Sequence, residues 1–163
     1  MDILWAPWRI EYILAPKAEG CIFCDKPKQD QDPENLILYR GHHCFVIMNF
    51  YPYNNGHIMI VPYRHIDNIT ALNADENSEI MKLLQESTRI LKQVMHPDGF
   101  NIGMNLGRVA GAGIDEHIHF HIVPRWNGDT NFMPVTGHTK VNSQGLRESW
   151  QALEPHFCAL KQD

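Results

Sequence analysis

Three histidines recur at every second position in the run HIHFHIVPRW, at residues 117, 119 and 121. Alternate side chains of a β-strand point to the same face. The spacing therefore predicts three imidazoles on one face of a strand and the apolar residues between them on the other. Three neighbouring imidazoles buried without partners would leave polar nitrogens unsatisfied, so we expect the imidazole side to face a pocket or water and the apolar side to join the core.

An imidazole cluster of this kind supports either of two chemistries. In the first, all three rings bind one metal ion, as in three-histidine zinc sites that keep an open position for water. In the second, one ring is a nucleophile, because a neutral imidazole, with an ordinary pKa of about 6.5, attacks phosphorus and leaves again readily. Its neighbours would then donate hydrogen bonds to the phosphoryl oxygens. The histidine spacing alone leaves both chemistries open.

Cys21 and Cys24 form a second motif, CIFC, close to the start of the chain. Two cysteines at this spacing are a pair of metal ligands, a redox pair or a chance occurrence. The redox alternative is disfavoured because CIFC does not sit in a βαβ pattern. As a metal site, the pair needs two further ligands from elsewhere in the chain, because zinc prefers four nitrogen or sulfur ligands.

A glycine-rich segment lies just before the three histidines and contains Asn105, Gly107, Gly111 and Gly113. Backbone N–H groups in a glycine-rich concavity can donate to phosphoryl oxygens during group transfer. A glycine cluster between two strands is also typical of a plain turn. Its position beside the histidines favours a phosphate-binding loop.

The elements that must position these residues are mainly short strands bounded by turn residues. The strand candidates are LILYR (36–40), HCFVIMN (43–49), HIMIVPY (57–63), FNIGMNL (100–106) and EHIHFHIVP (116–124). The turn cluster YPYNNG between the second and third candidates suits an antiparallel meander. Strands in succession, with the helices set apart from them, predict an α+β domain with an antiparallel sheet and helices on one face.

Two helices are predicted from apolar stripes. The first begins at a capping box formed by Asn73 and Glu76 and ends before Pro97. Its stripe consists of Ile80, Leu83, Leu84, Leu91, Val94 and Met95. The stripe of the second consists of Leu146, Trp150, Leu153, Phe157 and Leu160. Pro155 should kink the second helix or end it early, because proline lacks an N–H and clashes with the preceding turn.

Length and charge restrict the class of protein. A chain of 163 residues suits one domain, residues 1–163, with its own core. The net charge of -5 argues against broad binding to nucleic acid, which needs a basic face, although a small phosphorylated ligand could still be held locally. The chain has neither a secretory leader pattern nor an apolar run of membrane length, so we expect a soluble, cytoplasmic protein without membrane partners.

Several long motifs resemble the histidine triad (HIT) superfamily. HIHFHIV matches its signature at all seven positions, and LWAPWRIEYI, NFYPYNNGHIMIVPYRHIDN, GFNIGMNLG and HFHIVPRWNGDTNF are similar to its branch of diadenosine tetraphosphate phosphorylases and ATP adenylyltransferases. The resemblance covers nearly the whole chain. It implies a five-stranded antiparallel sheet and a homodimer in which two sheets pair across a two-fold axis.

The resemblance also implies roles for individual residues. His119 would attack the α-phosphorus of an adenosine polyphosphate and form a covalent His-AMP intermediate, which water or phosphate then releases. His121 would meet the α-phosphate or the bridging oxygen, and Asn105 would touch phosphate oxygens. Asn49 would bind the ribose hydroxyls, and His57 would lie near the site. The expected partner is thus a small nucleotide.

Zinc-bearing HIT proteins use two cysteines, a histidine after the second core strand and the first histidine of the signature. The matching residues here are Cys21, Cys24, His65 and His117. Four protein ligands leave no open position, so the resemblance implies a structural zinc ion. The three histidines would then divide their work: His117 binds metal, His119 attacks and His121 supports the phosphate.

The aromatic residues Trp5 and Trp8 admit two interpretations. They cover the core, which is the usual place for such side chains, or they form a subunit contact that Trp126 is placed to reach.

One departure from the family pattern bears on the reaction. Many HIT hydrolases carry a Gln-Ser pair where this chain has Gly113 and Ile114. The departure favours the phosphorylase branch over hydrolysis of adenosine phosphoramidates or nucleoside monophosphates. Two further alternatives are a three-histidine metalloenzyme and a nucleotide-binding protein without catalysis.

Overall fold

The computed structural model describes residues 20–130, Thr136 and residues 144–162. Within these residues five strands form one antiparallel sheet, which confirms the predicted α+β fold. The strands are β1 (Ile37–Arg40), β2 (Cys44–Met48), β3 (Ile58–Pro62), β4 (Gly99–Gly103) and β5 (Phe120–Arg125). Their order across the sheet is β1-β2-β3-β5-β4, so β5 lies inside the sheet and β4 lies at an edge.

The described helices are α1 (Ile22–Asp25), α2 (Asp32–Asn35), α3 (Ala74–Met95) and α4 (Leu146–Cys158). The two long helices, α3 and α4, contact each other and pack on the same face of the sheet. Their apolar stripes join Val46, Met48 and Ile60 of the central strands in the main core. The prediction that helices cover one face is therefore confirmed for α3 and α4.

The opposite face of the sheet carries a smaller core beneath α1. Ile47, Met59 and Val61 point to this face and pack with Phe23 of α1. His121 pairs directly with Met59 between β5 and β3, and residues directly opposed on neighbouring strands share a face. His121 therefore projects from the side of the sheet away from the long helices.

The segment with the three histidines is only partly a strand, so the predicted strand 116–124 begins too early. β5 starts at Phe120, and His117 and His119 precede it. β3 pairs with β5 only as far as Phe120. Before that point the Ile118 N–H donates to the Ile66 carbonyl, at 2.8 Å, because the chain has left the ladder to follow the loop after β3.

α3 begins at the predicted capping box. The Asn73 side chain accepts a hydrogen bond from the Glu76 N–H, and the Glu76 carboxylate accepts one from the Asn73 N–H. The buried carboxylate also accepts two hydrogen bonds of 2.7 Å from Arg64. The bonds from Arg64 lower the pKa of Glu76 below its ordinary value. This ion pair ties the start of α3 to the loop that carries His65.

Replacing Glu76 by Gln should lower the free energy of unfolding by about 1–3 kcal/mol at neutral pH, because charge-assisted hydrogen bonds to a buried group are lost. The folded-state pKa is lowered, so this stabilisation is fully present above the ordinary glutamate pKa of 4.5 and is lost as the pH falls through the folded-state value. Urea unfolding across this pH range measures the difference between the two proteins.

Glu86→Gln is the matched control, because it removes an exposed ion pair with Arg89 on the same helix and should change stability by less than about 0.5 kcal/mol. A difference between wild type and Glu76→Gln that stays constant from neutral to acid pH would contradict the account.

Of the two outcomes predicted for Pro155, an early end of the helix does not occur, since α4 runs on to Cys158. Proline lacks an N–H, so the Gln151 carbonyl loses its usual helical partner. Pro155 is exposed, and that carbonyl lies on the side open to water. On the other side the buried Leu153 and Phe157 hold the helix on the core.

No helix in the described part of the chain is long and apolar enough to cross a membrane. Trp5 and Trp8 lie outside the described residues. Trp126 follows β5 directly, and its indole N–H donates to the Met95 carbonyl at the end of α3, at 3.3 Å. Trp126 therefore ties the end of β5 to α3.

Candidate active site

Two cysteines and two histidines from distant parts of the chain meet at one point. Cys21 precedes α1, Cys24 lies within it, His65 lies in the loop after β3, and His117 lies just before β5. Their ligand atoms are all within 4.8 Å of one another. The structure thus brings together all four predicted metal ligands, which are named the metal cluster below.

The spacing of the metal cluster suits a tetrahedral ion. Bonds of about 2.3 Å to sulfur and 2.0 Å to nitrogen place zinc ligands roughly 3.3–3.8 Å apart. Cys21 Sγ lies 3.3 Å from His117 Nδ1, and Cys24 Sγ lies 3.3 Å from the Nδ1 of His65. The cluster can therefore hold a metal ion without large movement.

A hydrogen bond orients the most buried ligand of the metal cluster. His117 Nε2–H donates to the Pro62 carbonyl at 2.8 Å. The lone pair of the neutral ring is therefore on Nδ1, the atom that lies 3.3 and 3.6 Å from the two sulfurs. Metal-binding histidines are commonly oriented by such a bond from their second nitrogen.

Burial favours the neutral forms of Cys24 and His117 in the metal cluster. Burial and the adjacent Cys21 thiol raise the pKa of Cys24 to about 11. Burial lowers the pKa of His117, which favours the neutral ring that binds metal. Thiolate is the metal-binding form of cysteine, so a cation between the sulfurs would favour ionisation that burial opposes.

His119 is held in one defined tautomer by its own backbone neighbour. Its Nδ1–H donates to the His117 carbonyl at 2.9 Å. A neutral imidazole carries a single N–H, so the lone pair of His119 lies on Nε2. The ring is 5% exposed and contacts Phe23, with ring centroids 5.0 Å apart. The backbone of a metal-cluster residue therefore sets the tautomer of the neighbouring ring.

The tautomer of His121 follows from a chain of two hydrogen bonds. The Tyr53 N–H donates to His57 Nδ1 at 3.0 Å, so the hydrogen of neutral His57 is on Nε2. That Nε2–H donates to His121 Nδ1 at 2.9 Å. Neutral His121 must then carry its hydrogen on Nε2. The fully buried His57 thus turns His121 into a donor at that atom.

The three histidines of the run therefore have three different partners. The His117 ring faces the cysteines, the His119 ring is bonded to a backbone carbonyl, and the His121 ring is bonded to His57. The metal cluster includes His117 but neither of the other two. This arrangement is unlike a three-histidine metal centre, in which the rings converge on one ion.

A cavity beside His119 lies between α1 and the face of the sheet on which α1 packs. Several predicted site residues line it, together with apolar residues at its mouth. This histidine cavity is lined by Ile22, Phe23, Asn49, Phe50, Gly111, Gly113, His119 and His121, among others. Ile22 and Phe50 are exposed there, and exposed apolar side chains at a cavity mouth suit a flat, partly apolar ligand.

A second cavity, of about 390 Å³, lies along β4 and β5. This edge cavity is lined by Tyr53, Asn54, Asn101, Ile102, Gly103, Met104, Asn105, His121, Val123 and Arg125. Tyr53 and His121 line both cavities, whereas His119 lines the histidine cavity alone. The two cavities therefore share two lining residues and lie on either side of them.

The remaining predicted site residues are placed as follows. The Asn49 side chain accepts a hydrogen bond from the Tyr51 N–H in the histidine cavity. Asn105 lines the edge cavity, and its Nδ2 donates to the Gly111 carbonyl at 3.4 Å. Gly107 lies outside the walls of both cavities, and its φ of 76° belongs to the turn that starts this loop.

Two residues at the site were not expected from the sequence. Phe23 lies between the two cysteines and contacts both His117 and His119. Tyr53 sets the tautomer of His57 through its backbone N–H. The Phe position inside CIFC was a usable signal, since a residue between two metal ligands must lie near the metal. The role of Tyr53 could not be found in this way, because a backbone N–H donor does not depend on the residue type.

The chain is similar to several known proteins. AP-4-A phosphorylase of Mycobacterium tuberculosis is 40% identical over 163 aligned positions, which cover 95% of this chain and 84% of the relative. An adenosine 5'-monophosphoramidase of Candida albicans is 28% identical and covers 86% of this chain and 84% of its own. A Zn-bound histidine triad family protein of Mycobacterium smegmatis has a TM-score of 0.68 at 25% identity, covering 88% of this chain and 96% of its own.

The family model of the HIT domain matches residues 30–128, which run from the segment before β1 to the turn after β5. This match spans more than half of the chain, and the similarity to AP-4-A phosphorylase of M. tuberculosis covers nearly all of it. The protein therefore belongs to the HIT domain family.

Proposed function

We propose that the protein transfers the AMP moiety of a dinucleoside polyphosphate of the diadenosine tetraphosphate class to phosphate, through a covalent intermediate on His119. The observation that carries this proposal is the hydrogen bond from His119 Nδ1 to the His117 carbonyl, which leaves the lone pair on Nε2 beside a cavity. The relative named AP-4-A phosphorylase supports the substrate class and the phosphorolytic outcome.

The reaction takes two displacements at the same phosphorus atom. His119 Nε2 first forms a bond to the α-phosphorus while the bond from that phosphorus to its bridging oxygen breaks, and ATP leaves. A phosphate oxygen then attacks, the phosphorus–nitrogen bond breaks, and ADP leaves with a proton released from the phosphate. His119 is regenerated, as covalent catalysis by a neutral imidazole requires.

The other site residues stabilise charge and hold the substrate. His121, a donor at Nε2, would bind the α-phosphate or the bridging oxygen as negative charge develops there. Asn105 and the backbone of Gly111 and Gly113 would bind phosphate oxygens, and Asn49 would bind the ribose hydroxyls. Three further residues act indirectly. His57 orients His121, Phe23 packs on His119, and Gly107 shapes the turn of the loop.

The metal cluster is proposed to bind a structural zinc ion. Four protein ligands complete a tetrahedral shell and leave no position for substrate. The Zn-bound relative of M. smegmatis supports this choice of metal. When bound, the ion would join α1, the loop after β3 and the residue before β5, the same residue whose carbonyl holds His119.

A homodimer and a cytoplasmic location complete the proposal. Pairing of two sheets across a two-fold axis is what the resemblance to HIT proteins implies. The described cysteines form no disulfide, and a reducing compartment keeps thiols available for metal.

Product analysis tests the proposed reaction. Diadenosine tetraphosphate is incubated with the purified protein, with and without inorganic phosphate, and nucleotides are separated by chromatography. We expect ADP and ATP to form together, and only when phosphate is present. AMP formation at the same rate with or without phosphate would show that the protein is a hydrolase and not a phosphorylase. Absence of any turnover would show that the protein binds nucleotides without catalysis.

A further inference from the structure

We propose that the edge cavity is the subsite for phosphate groups on the far side of the reaction centre. It would receive the departing polyphosphate in the first displacement and the incoming phosphate in the second, with Asn101 and Arg125 as donors. This assignment rests on the proposed transfer through His119 and adds a second subsite to it.

The chemistry of the two displacements requires such a subsite. In each one the entering and leaving groups lie roughly in line on opposite sides of phosphorus. His119 leaves in the second displacement along the direction from which it attacked in the first. The polyphosphate that departs and the phosphate that arrives must therefore use the same space, opposite His119.

The edge cavity adjoins the reaction centre on the side of His121. It touches His121, whose Nε2 is the proposed donor to the bridging oxygen, but it does not include His119. The histidine cavity, with Asn49 and the apolar residues at its mouth, accounts for the nucleoside side. A polyphosphate chain that passes His121 away from the nucleoside therefore enters the edge cavity.

The walls of the edge cavity suit an oxyanion. Among the described residues that line it there are one arginine and three asparagines and no carboxylate. A volume of about 390 Å³ is that of a small-ligand site and not of a single water. Amide and guanidinium N–H groups are good donors to phosphate.

A hydrogen-bond network holds the two proposed donors rigidly. The Arg125 guanidinium donates through Nε and one terminal nitrogen to Asp129, at 2.6 and 3.0 Å. Its other terminal nitrogen donates to Asn101 Oδ1 at 2.8 Å. Arginine has five N–H groups, and these three bonds use three. Because Asn101 accepts with its oxygen, its Nδ2 hydrogens are left to donate to a ligand.

Asn101→Asp tests the assignment with little risk to the fold. The side chain keeps its shape, and its oxygen can still accept from Arg125, but a negative charge now faces the cavity. Asn77→Asp is the matched control, because Asn77 is exposed on α3, on the other face of the sheet, and receives the same added charge. The control should behave as wild type.

Three measurements compare the variants. Calorimetric titration with inorganic tripolyphosphate measures binding without chemistry. The phosphate dependence of ADP formation from preformed adenylyl-enzyme reports on the incoming group, and the diadenosine tetraphosphate dependence of adduct formation reports on the departing one. The new carboxylate in Asn101→Asp should repel phosphate groups in the same cavity. We therefore expect the half-saturation concentrations to rise about tenfold or more, with a smaller change in the limiting rates.

The outcomes separate the subsite from the proposed function. Weaker tripolyphosphate binding by Asn101→Asp upholds the subsite even if wild type forms no adduct, in which case only the proposed function fails. An effect confined to the incoming or to the departing group upholds the subsite and identifies its occupant. Equal tripolyphosphate affinity and equal half-saturation values in Asn101→Asp and wild type would overturn the assignment.

Discussion

Replacing His119 by Gln should lower the rate of phosphorolysis by roughly 10⁴- to 10⁶-fold, the range seen when a covalent nucleophile is removed from an enzyme. Gln is close in size to His and can keep a side-chain donor towards the His117 carbonyl, but it offers no basic nitrogen to attack phosphorus. The loss should lie in the limiting rate, because the walls that hold the nucleotide are unchanged.

Single-turnover kinetics with diadenosine tetraphosphate measure this loss, and two controls locate its cause. Nucleotide binding by His119→Gln should stay within a few fold of wild type, as expected when only the reacting group is removed. Its metal content should be unchanged, because His119 does not belong to the metal cluster. A variant that kept more than about a tenth of the wild-type rate would exclude His119 as nucleophile.

Removal of the proposed zinc ion should produce the second large effect, a loss of thermal stability. An ion that is present at a thousand times its dissociation constant and binds only the folded state stabilises by about 4 kcal/mol. For a chain of this length about 1 kcal/mol corresponds to 2–4 °C. Exhaustive chelation should therefore lower the melting temperature by roughly 10 °C, as measured by calorimetry alongside elemental analysis for zinc.

Substitution of a ligand should reproduce the effect of chelation. Cys24→Ser should lose zinc and melt at a similarly reduced temperature, whereas Cys158→Ser, which changes a thiol outside the metal cluster, should retain zinc. Metal loss should also slow adenylylation, because the His117 carbonyl fixes the His119 tautomer. A chelated protein with an unchanged melting temperature would contradict a structural metal.

Local signals in the sequence were enough to predict most of the fold. The α3 capping box is a contact between residues three positions apart, so its partners can be identified without tertiary structure. The strands follow from short apolar runs between turn residues. The predicted extent of β5 was wrong because the strand begins where β3 stops pairing and where Ile118 bonds to Ile66. Both are tertiary contacts.

The metal ligands could be predicted before the structure was known, whereas the histidine tautomers and the edge cavity could not. Resemblance to HIT proteins supplied His65 and His117 as partners for cysteines more than forty residues away, a pairing that spacing alone does not reveal. The tautomers of His119 and His121 depend on a backbone carbonyl and on a backbone N–H. The edge cavity depends on β4 lying beside β5, an order that the sequence does not specify.

The most direct test of the account is the intact mass of wild-type protein after brief exposure to diadenosine tetraphosphate without phosphate. The reaction is quenched in denaturant at neutral pH, since phosphorus–nitrogen bonds hydrolyse in acid. We expect a mass increase of one AMP moiety, located by digestion on His119 and discharged as ADP when phosphate is added before the quench. Turnover without any adduct, or an adduct on another residue, would contradict nucleophilic catalysis by His119.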